Sequence, residues 1–276
     1  MNRWIDDLCV HFEDPALDEA TVIGTQSLCL LSKGVLSAHP SPFQDIHAWM
    51  EQLQIFCLEQ QLRLTPRTPS AGGMWKQGAF RWHGILPPVS ACGPIFSLRR
   101  HRFESLQLEN FAGEAWLPEI IQWAESRRPL LICGPTGSGK TSFLTLLLRQ
   151  VARTEKVLII EDLLEMPLSS PMWIKLAVHA HHVTGGSFSF QAAFTECLRL
   201  HPDRIVVGEM RDPSVCPFLQ VLHAGHSGFM ATFHAQTEEG VQARLPPSHG
   251  PPTELGLVFL ERGTPPRIRT MGTLLV

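Results

Sequence analysis

No run in the 276-residue sequence approaches the roughly eighteen consecutive apolar residues that span a bilayer. The opening MNRWIDDLCVHFEDP carries acids early and lacks the apolar core of a secretory signal, so membrane contact is expected to be peripheral. The 7 cysteines, at 9, 29, 57, 92, 133, 197 and 216, are odd in number and include no CxxC pair. They read as buried, reduced thiols of a cytoplasmic protein, not as a disulfide frame or zinc site. Lysine is scarce: of 23 basic residues 18 are Arg and only 5 are Lys, so a lysine in a conspicuous place carries weight. The formal net charge of -3 excludes a polybasic nucleic-acid coat or membrane binder as the default reading. No internal repeat is visible, and 44% apolar with 18% charged residues is an ordinary globular balance.

Two rhythms divide what is there. Before residue 115 the pattern is mixed, as in a small α+β domain. Thr21 to Leu31 reads as two short strands broken near Gly24, and Pro66 to Gly73 as a loop or turn cluster. A helix is expected over Pro42–Leu62, where Phe43, Ile46, Met50, Leu53 and Cys57 recur at helical spacing. Strands Phe80–Leu86 and Pro94–Arg99 flank a bend at Pro87-Pro88.

From Trp116 helices and short apolar strands alternate. Helices are expected at Trp116–Ser126, Ser138–Arg153, Phe190–Leu200 and Pro217–His223. Strands are expected at Pro129–Cys133, Val157–Ile160, Met172–His179, Arg204–Gly208 and Phe229–Phe233. Such a pattern implies a parallel sheet covered on both faces. The boundary is expected near 103–115, giving an N-terminal domain over 1–108 and an α/β nucleotide-binding domain over 109–276. Pro246–Pro252 cannot be helical, with four prolines in seven residues.

Gly134-Pro135-Thr136-Gly137-Ser138-Gly139-Lys140-Thr141 fits GxxxxGK[ST], after a strand and before an apolar helix. Glycines let backbone N–H groups curl round phosphates, and the helix N-terminus adds partial positive charge. Lys140 has the reach for the β- and γ-phosphates of ATP, and the Thr141 hydroxyl for Mg²⁺. The motif identifies nucleotide binding, not the purpose of hydrolysis.

Further candidates end the other strands. Val157–Ile160 runs into Glu161 and Asp162, with Glu165 beyond; a polar strand exit explains these as readily as a site. Arg204–Gly208 runs into Glu209, the best candidate general base and a candidate metal ligand. His234 ends Phe229–Phe233 and would lie beside Glu209 if those strands are close, where an imidazole can donate to a γ-phosphate. His179, His181 and His182 lack a partner at metal-ligand spacing and read as surface residues.

In this order the motifs resemble those of the secretion ATPases of bacterial type II and type IV secretion systems, with the type IV and Tad pilus-assembly branch nearest. Gly134–Thr141 looks like the family's Walker A and Glu161-Asp-Leu-Leu-Glu165 like its Asp box. Leu198–Arg204 with Gly208-Glu209-Met-Arg211 looks like its Walker B region. Gly225–Ala235 looks like its His box, followed by the pair Arg244-Leu245. More loosely, Asp14-Pro15 with Val22–Thr25, Arg81–Pro88 and Ser97–Arg100 resemble its N-terminal stations, and 255–276 its closing hairpin.

The resemblance implies a PAS-like N-terminal domain before a RecA-like ATPase domain, in a homo-hexameric ring with ATP between the two. Arg81 and Arg99 would reach the terminal phosphates, and Glu209 would position water. His234 would sense the γ-phosphate, while Glu161 and Glu165 would hold the metal and water network. It further implies an inner-membrane platform protein as partner, with the motor cytoplasmic and peripheral at that membrane, and no nucleic-acid partner.

The chain departs from the family pattern in lacking a four-cysteine insertion. Ala177 and His179 stand where many relatives carry acidic and arginine residues, and a proline-rich stretch follows Leu245 where relatives have helices. A nucleotide-binding regulatory subunit with little turnover is therefore the alternative to a motor. A DNA translocase has only fold analogy behind it.

Overall fold

The computed structural model describes residues 3–76, 78–101, 107–111, 115–167, 169–178, 188–210, 212–223, 228–245, 250, 252–263 and 266–276. They divide between two units, Met1–Arg102 and Phe103–Val178 with Phe188–Val276. The first comprises α1 (Arg3–Val10), β1 (Leu17–Ile23), β2 (Ser27–Ser32), β3 (Val35–Pro40), α2 (Ile46–Glu59), β4 (Ser70–Trp75), β5 (Phe80–Ile85) and β6 (Ile95–Arg100). Its strands form one antiparallel six-stranded sheet in the order β3-β2-β1-β6-β5-β4.

Period-two alternation buries Ala20, Val22, Trp82, Phe96 and Leu98 with Ile5 and Leu8 of α1 and Trp49, Leu53 and Phe56 of α2. Rings meet edge to face there, Trp4 on Trp49 at 4.9 Å and Phe56 on Trp82 at 5.0 Å between centroids. Helix α2 starts where Asp45 accepts the N–H groups of His47 and Ala48. Trp49 and Phe56 lead its buried face, whereas Ile46 is exposed.

The expected loop at Pro66–Gly73 is corrected: from Ser70 the chain is strand β4. Gly72 and Gly73 are there for space. A Cβ on Gly72 would lie 3.0 Å from the Trp82 carbonyl oxygen, and one on Gly73 2.9 Å from Trp82 Nε1. The Trp82 indole fills the space at Gly73, while the His83 ring and the Trp82 backbone fill it at Gly72.

The second unit comprises α3 (Leu117–Glu125), β7 (Leu130–Cys133), α4 (Lys140–Val151), β8 (Val157–Glu161), β9 (Trp173–Ala177), α5 (Phe190–Leu200), β10 (Arg204–Met210), α6 (Asp212–His223), β11 (Met230–Phe233), α7 (Glu238–Gln242), β12 (Glu254–Glu261) and β13 (Arg267–Leu275). Its seven-stranded sheet runs β13-β12-β7-β11-β10-β8-β9, parallel throughout except for β13, which returns antiparallel on β12. Strands buried on both faces explain their unbroken apolar runs. Leu158 and Ile160 pack toward α5 and α6, while Val157 and Ile159 pack toward α3 and α4.

Helix α6 begins at Asp212, earlier than Pro217, which lies inside it. Beneath the sheet Arg204 is fully buried. Its Nε donates to the Glu155 carboxylate and its NH1 to the Ala124 carbonyl at 2.8 Å. The expected features at Arg211, Gly225, His226, His179, His181, His182 and most of 246–252 lie outside the described residues. No helix among the described residues is long and apolar enough to cross a membrane. The six cysteines with described side chains are free thiols; the expected burial holds for Cys57, Cys133 and Cys197, whereas Cys9 and Cys29 are half-buried and Cys92 is exposed.

Candidate functional site

Parallel strands deliver their C-terminal ends to one edge of the sheet, the edge where open α/β sheets bind ligands. Strand β7 ends at Cys133 and passes into Gly134, whose φ of +150° and closeness to the Leu260 carbonyl (2.5 Å from a notional Cβ) admit only glycine. The next residues form a turn in which Ser138 N donates to the Pro135 carbonyl at 3.3 Å. Helix α4 then starts at Lys140, so its first N–H groups and positive dipole end face the loop.

Lys140 is 7% exposed, and its ammonium donates to the Pro135 carbonyl at 2.9 Å. Burial pulls its pKa below the ordinary lysine value, and Arg262 adds slightly; Glu209 and Cys133 oppose this. Thr141 follows on the first helical turn, half-buried.

Glu209 on β10 and His234 just beyond β11 come together because these strands are neighbours, with Met210 opposite Phe233. Thr232 Oγ1 donates to the Gly208 carbonyl at 2.5 Å and pins the two strand ends. His234 Nε2 is hydrogen-bonded to Glu209 Oε1, and Nδ1 stands 3.5 Å from the Lys140 ammonium. This geometry suits a neutral imidazole with Nε2–H donating to the carboxylate and the Nδ1 lone pair facing the ammonium. Arg244 donates to the His234 carbonyl at 2.6 Å and lies over the Phe233 ring at 4.7 Å. Lys140, His234 and Glu209 thus form a continuous polar chain above the phosphate loop.

Glu161 is brought near but turned inward. It is 2% exposed; Oε1 accepts the N–H groups of Glu165 (3.1 Å) and Met166 (2.9 Å), and Oε2 lies 3.5 Å from the Lys175 ammonium. Burial pushes its pKa up to about 7, against the pull of Lys175. The side chain occupies the space beside Gly208, where a Cβ would lie 2.8 Å from Glu161 Cγ. Glu165 is half-buried on the loop that Glu161 holds. Lys175 escaped the sequence reading; its signal was a lysine on a buried strand in a lysine-poor chain.

Arg81 and Arg99 belong to the first unit. The ladder sets them directly opposite each other on β5 and β6, both exposed, with Glu19 of β1 opposite Arg99 on its other side. Among the described residues no group of three or more His, Cys, Asp or Glu side chains is placed to hold a metal ion. One hydroxyl and one carboxylate, Thr141 and Glu209, fit Mg²⁺, which takes few protein ligands and completes its shell with phosphate oxygens and water.

Residues 91–248 match the family model described as Type II/IV secretion system protein. The chain is 34% identical over 173 residues to a protein named as a conjugal transfer protein of Mycobacterium tuberculosis, covering 60% of this chain and 49% of that one. It thus spans about half the length of that relative. It is 28% identical over 258 residues to the conjugal transfer protein TrbB of Rhizobium radiobacter, covering 87% of this chain and 74% of that one. Among solved structures, the Legionella pneumophila ATPase DotB superposes with a TM-score of 0.69 at 15% identity, covering 100% of this chain and 80% of that one. The pilus retraction motor PilT with bound ADP gives 0.63 at 18% identity, covering 98% and 82%. Both likenesses are of fold, the RecA-like fold of secretion ATPases. The chain belongs to the type II/IV secretion system protein family.

Proposed function

We propose that this chain binds and hydrolyses ATP as a motor subunit of a type IV secretion or conjugation machine. The observation that carries this reading is the chain Lys140–His234–Glu209 above a complete phosphate loop. In this reading Gly134–Thr141 wraps the β- and γ-phosphates with backbone N–H groups, and Lys140 leaves the Pro135 carbonyl to neutralise them. Thr141 and Glu209 are the residues to hold Mg²⁺, which supplies charge neutralisation on the phosphate oxygens. Glu209 also orients the attacking water, while His234 Nε2–H moves from that carboxylate to the γ-phosphate. Glu165 supports the water network from the loop held by Glu161. Arg81 and Arg99 bring positive charge to the terminal phosphates, stabilising the charge that spreads in the transition state.

By the same reading 1–108 is the moving partner of the ATPase domain 109–276, in a homo-hexamer docked on an inner-membrane platform protein. The motor works on the cytoplasmic side, peripheral to the membrane, without a nucleic-acid partner.

Steady-state ATPase activity of the wild type, Lys140→Ala and Glu209→Gln, with MgADP affinity and light-scattering mass on the same samples, tests this. Lys140→Ala is expected to weaken MgADP by about a hundredfold or more. Glu209→Gln should keep affinity within about threefold while kcat falls about a hundredfold. Undiminished turnover in Glu209→Gln would remove it from the mechanism. Binding without wild-type turnover would instead identify a regulatory subunit.

A further inference from the structure

The C-terminal hairpin touches the phosphate loop along its length. Strand β12 is parallel to β7 with Phe259 opposite Cys133, so residues 260–262 continue alongside 134–136. The Leu260 carbonyl backs Gly134, Arg262 Nε donates to the Thr136 carbonyl at 2.7 Å, and Pro266 packs against Gly139, where a Cβ would lie 3.2 Å from its ring.

The Arg262 contact falls on the peptide with the most freedom. Pro135–Ser138 is a four-residue turn closed by Ser138 N on the Pro135 carbonyl, with Gly137 at φ +77° and Thr136 absent from the left-handed region. That is a type II turn, and its central peptide joins Thr136 to Gly137. Rotation of that single peptide interconverts types I and II. Gly137 itself stands in the open, since a Cβ there would meet nothing within 4 Å. In a trans peptide C=O and N–H point opposite ways. A donor that holds the Thr136 carbonyl toward the hairpin therefore holds the Gly137 N–H toward the other side of the turn.

We infer that Arg262 is a positioning residue for the nucleotide: its guanidinium fixes the Thr136–Gly137 peptide of the phosphate loop so that the Gly137 N–H faces the incoming phosphate. This rests on the phosphate-binding reading given above. The bond is made by Nε, an atom for which lysine has no equivalent, so the role belongs to the donor's place and not to charge alone.

Calorimetric MgADP binding, thermal melting with and without MgADP, and ATPase KM and kcat of the wild type, Arg262→Gln and Arg262→Lys test it, with Lys140→Ala as control. Both Arg262 variants should bind MgADP about fivefold more weakly and raise KM to match, with kcat within about twofold. Without nucleotide both should melt within about 2 °C of the wild type, as befits an exposed site. Wild-type affinity in Arg262→Gln, or full rescue by Arg262→Lys, overturns the inference, the latter by showing that through-space charge suffices. Lower melting without nucleotide at unchanged affinity overturns it too, leaving a purely structural contact. If Arg262→Gln binds normally while Lys140→Ala does not, only this inference fails; if the wild type itself does not bind MgADP, both readings fall.

Discussion

The two sheets place their polar chemistry by different rules. In the second unit's sheet every strand but β13 points the same way, so Gly134, Glu161, Glu209 and His234 arrive at one edge simply by ending their strands. In the antiparallel sheet neighbouring strands run oppositely, and Arg81 meets Arg99 on a face, through ladder register. Chemistry at a strand end is written next to an apolar run and can be read linearly. Chemistry on a face depends on pairings between distant segments.

The cores differ as well. The first unit interlocks Trp4, Trp49, Phe56, Trp82 and Phe96 around its helices, whereas the second is built on aliphatic strands covered on both sides.

Substitution of the buried arginine strikes the parallel sheet hardest. Arg204→Ala leaves Glu155, among the described residues, with the Arg127 ion pair at 3.1 Å and should cost about 3 kcal/mol, measured by denaturant unfolding. A loss below about 1 kcal/mol would mean that Arg204 does not anchor the sheet.

Next comes pH, acting on the same edge. Glu161 is held near 7 in the folded protein against an ordinary 4.5, so folding favours its protonated form. Its contribution is present in full below about pH 4.5 and is lost as pH rises through about 7. Glu161→Gln keeps an acceptor for the Glu165 and Met166 N–H groups but cannot ionise. Unfolding of the two proteins followed from pH 4.5 to 8 should show the wild type losing on the order of 2 kcal/mol relative to the variant. Parallel curves would place the carboxylate in water.

The smallest effect is expected on the antiparallel face. Arg99→Gln should lower kcat about tenfold and leave MgADP affinity within about threefold. Equal losses in both would assign Arg99 to ground-state binding, and would weaken the contrast between edge and face.

The phosphate loop and the strand–helix alternation were legible because glycine spacing and buried strands leave local marks. Helix α5 follows the expected Phe190–Leu200, with Ser189 capping its N-terminus by accepting the Ala192 N–H. What escaped depended on partners far away in sequence. Strand β3 is exposed along its whole length, so no alternation announced it. The glycines of β4 read as a turn because the Trp82 and His83 atoms that need their space lie on β5. Helix α1 went unread, although its Ile5 and Leu8 join the core. Within the Walker B region, Arg204 carries no local sign that its partner is Glu155. Arg262 had nothing beside it to tie it to Thr136.

The fit of Glu161 against Gly208 has a consequence for anyone recombining these proteins. Two motifs forty-odd residues apart share one volume, so neither is an independent cassette. A chimera that imports only the β10 segment, with any side chain at 208, collides with the resident glutamate. One that imports both segments together carries the matched pair. Breakpoints between residues 161 and 208 should therefore yield few folded hybrids wherever the imported segment carries a side chain at 208.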